Sequence, residues 1–315
     1  MKPLRIALLA TGLLAVSTAC GSSGASTSFG PGKVKVAAAI YPIEEIVRAV
    51  GGSQVSLVEL IPRGQPAHDY EPTPRQVTEL QSADVVFYFG GGFQPSVEKA
   101  VASLPSSVRK VDLLKSVELI PVSQQLAGTD GVVDGEVLGD GSDPHVWMSP
   151  LNMQLMVEQV RAVLVAFPSV DAPGAAAGAA SFTADLSKLD ADFRSGLANC
   201  VSRVIVTAHR SFGYVAHNYN LEQIAIAGVS PTDEPSGKTL EAIARSAKDH
   251  KVTTIYFETN LPAELSKTIA DEVGATTAVL DSVESLSNKQ IADGADYVSL
   301  MRSNLAALEK GLVCS

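Results

Sequence analysis

From Val34 onward, short runs of β-branched and apolar residues alternate with segments whose apolar positions recur every three or four places. The runs VKVAAAIY (34–41), VSLVELI (55–61), DVVFYF (84–89) and VRKVDLL (108–114) predict strands. Helical patterns at 42–50, 73–82 and 94–104 lie between them. The arrangement returns later, with strands at 203–208, 222–227, 252–257 and 276–280 and helices near 211–220, 237–249, 261–273 and 296–311. Strands separated by helices of this length predict parallel pairing with right-handed crossovers. The fold class is therefore α/β: two α/β lobes with largely parallel sheets. Two further helical stretches, 151–167 and 174–198, join the halves. In the second, Phe182, Leu186, Leu189, Phe193 and Leu197 form one apolar stripe, so a single long helix is expected to bridge the lobes. The expected division is an N-terminal lobe at 34–167, a bridging helix at 168–199 and a C-terminal lobe at 200–315.

The segment before Val34 has a different pattern. Lys2 and Arg5 precede the apolar stretch Ile6–Val16, which is too short to span a bilayer but suits the core of an export signal. Ala19-Cys20 then places a small residue before a cysteine, as in a bacterial lipoprotein cleavage box, although Ser17 stands where Leu or Val is usual. The expectation is a signal peptide at 1–19, a lipid-bearing Cys20, and a flexible Gly/Ser-rich tether to residue 33. The protein would then be exported and lipid-anchored to the outer face of the bacterial cytoplasmic membrane. Cys200 and Cys314 remain, and two cysteines in an exported chain are expected to form one disulfide.

Composition removes several function classes. The chain has 315 residues, 46% of them hydrophobic and 18% charged, enough apolar material for sizeable cores. A formal charge of −10 argues against a nucleic-acid partner, which would need a basic footprint. Three cysteines without a CxxC pair exclude zinc fingers and iron–sulfur frameworks.

The five histidines carry the remaining chemistry. His68 follows the apolar run ending at Ile61, His145 precedes the helix starting near Leu151, and His209 directly follows the run Val204–Ala208. Asp281 has the same placement after Thr277–Leu280. Ligand groups in open α/β sheets gather at the carboxyl ends of strands, so these four can converge between the lobes. Three neutral imidazoles and a carboxylate match tetrahedral Zn²⁺, whereas Mg²⁺ and Ca²⁺ prefer all-oxygen sites. His217 reads as a surface residue, and His250 as a residue at a helix C-terminus. Glu71, Asp143 and Glu258 are candidates to orient the imidazole rings.

These residues lie in segments that resemble the metal-binding, ZnuA/TroA-type solute-binding proteins of zinc and manganese ABC transporters. The segments are His68-Asp69-Tyr70-Glu71-Pro72-Thr73-Pro74, Asp143-Pro144-His145-Val146-Trp147-Met148-Ser149-Pro150, His209-Arg210-Ser211-Phe212-Gly213-Tyr214, and Leu280-Asp281. The resemblance implies two lobes bridged by one long helix, with His68, His145, His209 and Asp281 on the four ligand positions. A histidine rather than a glutamate at position 209 favours zinc over manganese in such proteins. The implied function is a monomeric, extracytoplasmic zinc-binding lipoprotein that delivers Zn²⁺ to an ABC permease and its ATPase. It would be no enzyme, and zinc would be its cargo. The acidic stretch 127–144, with Asp130, Asp134, Glu136 and Asp140, is a solvated loop or a zinc-capture segment that could receive metal from a zinc metallochaperone. A manganese carrier, a zinc-dependent hydrolase and a surface adhesin remain the competing readings.

Overall fold

A computed structural model describes residues 29, 32–122, 141–232, 235–259, 261 and 263–315. The expected signal peptide, Cys20, most of the tether and the acidic residues Asp130, Asp134, Glu136 and Asp140 lie outside the described residues.

Two four-stranded sheets are present among the described residues, and every strand pair in them is parallel. The first contains β1 (Val34–Ala38), β2 (Val55–Glu59), β3 (Val85–Tyr88) and β4 (Arg109–Asp112), in the order β2-β1-β3-β4. The second contains β5 (Val204–Thr207), β6 (Glu222–Ala225), β7 (Thr254–Phe257) and β8 (Thr276–Val279), in the equivalent order β6-β5-β7-β8. The central strands are apolar on both faces, as parallel strands between helices must be: Val36, Ala37, Ala38, Val85 and Phe87 are buried in the first sheet, and Val204, Ile205 and Val206 in the second.

Between the sheets, α4 (Pro150–Leu164) leads to the long helix α5 (Ala172–Gly196). Asp171 caps α5 by accepting from the Gly174 N–H, and Leu186, Leu189 and Phe193 of the expected stripe are buried. Toward its start, α5 packs against α1 (Tyr41–Gly51) closely enough that a Cβ on Gly178 would lie 2.1 Å from the Ala49 carbonyl oxygen. The same helix meets α10 (Tyr297–Gly311), which closes the second half. One apolar core runs through both halves, from Val36 and Trp147 to Tyr214, Val283 and Met301. A smaller core under β5 to β7 belongs to the second half alone. The Cys200–Cys314 disulfide ties the start of the second half to the chain's end.

Most predicted helices stand within a few residues of their expected positions, and their ends follow local capping chemistry. The run Thr73-Pro74-Arg75-Gln76 illustrates this: Thr73 and Gln76 form a capping box around α2 (Pro74–Leu80), with proline in the first turn. A short helix not anticipated from the pattern, α9 (Asn288–Ala292), has no buried residue and hence no apolar stripe. No helix among the described residues is long and apolar enough to cross a membrane.

Candidate metal centre

Each half contributes loops from the carboxyl ends of its strands. His68 lies between β2 and α2, where the buried Gln94 amide donates to the Ala67 carbonyl at 2.9 Å and the Phe93 ring meets the imidazole edge-on at 4.7 Å. His145 precedes a tight turn at Val146–Met148, after which Ser149 caps α4 by accepting from the Asn152 N–H. The DPHVWMSP segment thus holds a candidate donor near one end and a helix start at the other. His209 follows β5, and its carbonyl accepts from the Thr207 hydroxyl at 2.7 Å.

The structure brings the three imidazoles together and turns the same nitrogen of each inward. The Nε2 atoms of His68 and His145 are 3.3 Å apart, as are those of His145 and His209. The fourth donor in this cluster is Glu284, whose Oε1 lies 3.7 Å from His68 Nε2, 3.7 Å from His145 Nε2 and 3.4 Å from His209 Nε2. All four residues are buried.

Sequence reasoning named Asp281 for this position, and here the structure differs. Asp281 is outside the four-donor cluster: its carboxylate accepts from the Val283 N–H at 2.7 Å and the Gln290 side chain at 2.5 Å. Asp281 directly follows the apolar strand run, whereas Glu284 comes three residues later, after a turn that strand periodicity does not encode. Glu284 was legible only as a second acidic residue in Asp281-Ser282-Val283-Glu284. His217 is exposed on α6 (Gly213–Asn218). His250 caps α7 (Gly237–Asp249), its Nδ1 donating to the Ser246 carbonyl at 2.9 Å.

The outward nitrogens explain why Nε2 faces inward. Asp143 Oδ1 accepts from His145 Nδ1 at 2.8 Å, and Glu258 Oε1 from His209 Nδ1 at 2.5 Å. With both Nδ1 atoms protonated, the Nε2 lone pairs point into the cluster as metal-binding imidazoles require. Of the three candidate orienting residues, Asp143 and Glu258 occupy those places, while Glu71 is exposed. Trp147 and Phe93 wall the histidines off from water, with Trp147 stacked on Phe89 at 5.4 Å.

Two lone pairs 3.3 Å apart repel unless a proton or a metal ion lies between them. Burial disfavours charge on His209, but the Glu258 and Glu284 carboxylates outweigh it and push this imidazole up to about 10. Burial drives His145 down, against the pull of Asp143. For Glu284, burial opposes ionisation, yet His68 and His209 hold it well below the usual carboxylate range. Without metal, His209 therefore holds a proton between the Glu258 and Glu284 carboxylates. A divalent ion would replace that proton.

The spacing also discriminates among ions. A tetrahedral site with zinc-to-nitrogen and zinc-to-oxygen distances of about 2.0–2.2 Å has donor–donor edges of about 3.3–3.6 Å. The five edges given above lie between 3.3 and 3.7 Å. Three nitrogens and one oxygen at this spacing fit Zn²⁺; an octahedral, oxygen-seeking ion would need more and harder donors.

The family model described as zinc-uptake complex component A, periplasmic (ZnuA) matches residues 36–311. The chain belongs to this family. Among related ZnuA-type proteins, the high-affinity zinc uptake system protein ZnuA of Bacillus subtilis is 32% identical over 301 residues, covering 94% of this chain and 93% of its own. The zinc-binding protein AdcA of Streptococcus pyogenes serotype M1 is 32% identical over 312 residues and 96% of this chain. The chain spans 60% of that relative's length. The crystal structure of the Zn(II)-bound ZnuA-like domain of Streptococcus pneumoniae AdcA superposes with a TM-score of 0.74 at 31% identity. That match covers 89% of this chain and 99% of the domain, and it agrees with the two α/β lobes of the ZnuA-type fold.

Proposed function

We propose that this protein is an extracytoplasmic zinc carrier that binds one Zn²⁺ through His68, His145, His209 and Glu284 and delivers it to an ABC permease with its ATPase. The observation that carries this reading is the inward set of three Nε2 atoms and one carboxylate oxygen, all within 4.8 Å of one another and with five of their six separations at 3.3–3.7 Å. Zinc is cargo in this reading. A zinc hydrolase needs an open coordination position for water; here Glu284 occupies the fourth position and the histidines are walled by aromatic rings.

Delivery to a permease is supported by the family and by the names of the zinc-uptake relatives. Lipid anchoring through Cys20, and hence placement on the outer face of the cytoplasmic membrane, is supported by the leader pattern and Ala19-Cys20. The protein is proposed to act as a monomer.

Metal analysis of purified protein by mass spectrometry, followed by calorimetry of the metal-free form with Zn²⁺ and Mn²⁺ in competition, tests the reading. We expect one Zn²⁺ per chain, retained against excess Mn²⁺, and loss of that binding in His145→Ala. Undiminished one-to-one zinc binding by the variant would refute the assignment.

A further inference from the structure

Asp281, though outside the cluster, is tied to it through Ser282 and Val283, the two residues that separate it from Glu284. Asn304 of α10 holds the Asp281 main chain from both sides: it accepts from the Asp281 N–H at 2.8 Å and donates to the Asp281 carbonyl at 2.7 Å. At the other end, the Tyr41 N–H donates to the Glu284 carbonyl at 3.4 Å. Between these anchors Val283 has φ of +57°, a left-handed conformation that a buried β-branched residue rarely adopts. Asp281 Oδ1, accepting from the Val283 N–H, closes the turn that holds this conformation. Asp281 Oδ2 receives the Gln290 amide of α9. That amide is shared, since Gln290 Oε1 also accepts from the Ser287 N–H at 2.7 Å in the capping box of α9.

We propose that Asp281 is a positioning residue for zinc, a latch bolted by Gln290 that holds the turn at Val283 and so keeps the Glu284 carboxylate on the metal. This rests on Glu284 as the fourth zinc donor. Opening the latch leaves three imidazoles and a free carboxylate, so the latch sets how fast zinc leaves. Its location suits that task. A surface cavity of about 530 Å³, lined by Asp281, Gln290, Asn304, Thr259 and Ser303, reaches the bolt from solvent without disturbing the histidines. The helix carrying the bolt fully buries no residue and meets the core only through the half-buried Ile291, so α9 can shift at modest hydrophobic cost.

Gln290→Glu provides a selective test. It keeps an oxygen for the capping box but removes the donor to Asp281 and sets two carboxylates face to face. Asp281→Asn keeps an acceptor for the Val283 N–H but opposes two amide donors. The double variant D281N/Q290E restores a donor–acceptor pair with its direction reversed. Zinc dissociation is followed by stopped-flow transfer to a chelator, and geometry by the visible spectrum of the Co²⁺-substituted protein. Loss of a hydrogen bond to a charged group predicts roughly ten- to hundredfold faster release in each single variant. The spectrum should lose four-coordinate intensity in both, and the double variant should return to within about threefold of the parent rate, as expected for directly coupled residues. Parent-like release and spectrum in Q290E, or no recovery in D281N/Q290E, would overturn the latch. Glu284→Gln separates the two levels. Weakened zinc binding in that variant supports the donor assignment whatever the latch variants do. Unchanged binding overturns the donor assignment and the latch with it.

Discussion

Removing the carboxylate behind His145 isolates what an orienting residue contributes to this site. Asp143 is fully buried, and its Oδ1 receives two donors from the same residue: the His145 backbone N–H at 2.9 Å and Nδ1 at 2.8 Å. Its main chain is held separately, through a 2.9 Å bond from its N–H to the Ile120 carbonyl and a 3.0 Å bond from the Tyr214 hydroxyl to its own carbonyl. A side-chain substitution therefore leaves the loop's backbone anchors in place. Asp143→Ala strands two buried donors, at about 1–3 kcal/mol of stability each, and frees the ring to rotate or change tautomer. Loss of such a partner weakens metal binding by about 10- to 100-fold, or about 1.4–2.7 kcal/mol. Asp143→Asn keeps a neutral acceptor for both donors and should sit near the tenfold end of that range. Competition titration against a chelator of known zinc affinity gives the dissociation constants, and urea unfolding of the metal-free proteins gives the stability cost. The expected order is parent, then D143N, then D143A. Zinc affinity within twofold of the parent in D143A would refute the claim that the Asp143 bond sets the reactive face of His145.

Three further outcomes are expected. Because His209 is pushed up to about 10 by Glu258 and Glu284 despite its burial, it carries a proton below that pH and zinc must displace it. Affinity should fall about tenfold per pH unit on acidification from 8 to 6; calorimetry in buffers of different ionisation enthalpy reads the released proton, and no buffer dependence would contradict the coupling. Gly178→Ala puts a Cβ 2.1 Å from the Ala49 carbonyl oxygen. Forcing α5 from α1 should cost about 1–3 kcal/mol in urea unfolding despite alanine's better helix propensity. The double variant C200S/C314S removes a crosslink between residues 114 apart in sequence. It should lose about 2–4 kcal/mol of stability with one-to-one zinc binding unchanged, since neither cysteine touches the donors or their partners.

The positions of the elements were largely legible because each depends on a local period or a local cap. The near-continuous apolar runs in VKVAAAIY and DVVFYF mark strands buried by helices, and Thr73-Pro74 and Ser149-Pro150 mark helix starts through side-chain capping. The three histidines were legible for a similar reason, since each sits where a strand or loop yields to a helix. Asp143 was legible as an acidic neighbour of His145, and Glu258 as an acidic residue directly after the strand run 252–257. Grouping Asp281 with the histidines followed the same rule, and there the rule ran out, since Glu284 is the carboxylate in the cluster. Whether the residue ending a strand or one three places on reaches the site depends on the turn between them, and this turn passes through a left-handed valine that no propensity favours.

The sequence by itself thus determined the two parallel α/β halves, the helix between them, the three imidazoles and the pairing partners available to Cys200. Those features follow from hydrophobic period, capping residues and donor chemistry, all of which act over a few neighbouring positions. Tertiary structure decided which nitrogen each imidazole presents, because Asp143 and Glu258 must already lie behind the rings. It also decided which carboxylate completes the cluster. Asn304, Gln290 and Tyr41, all remote from residues 281–284 or on other elements, hold that turn from outside, and their bonds outweigh the local preference against its backbone conformation.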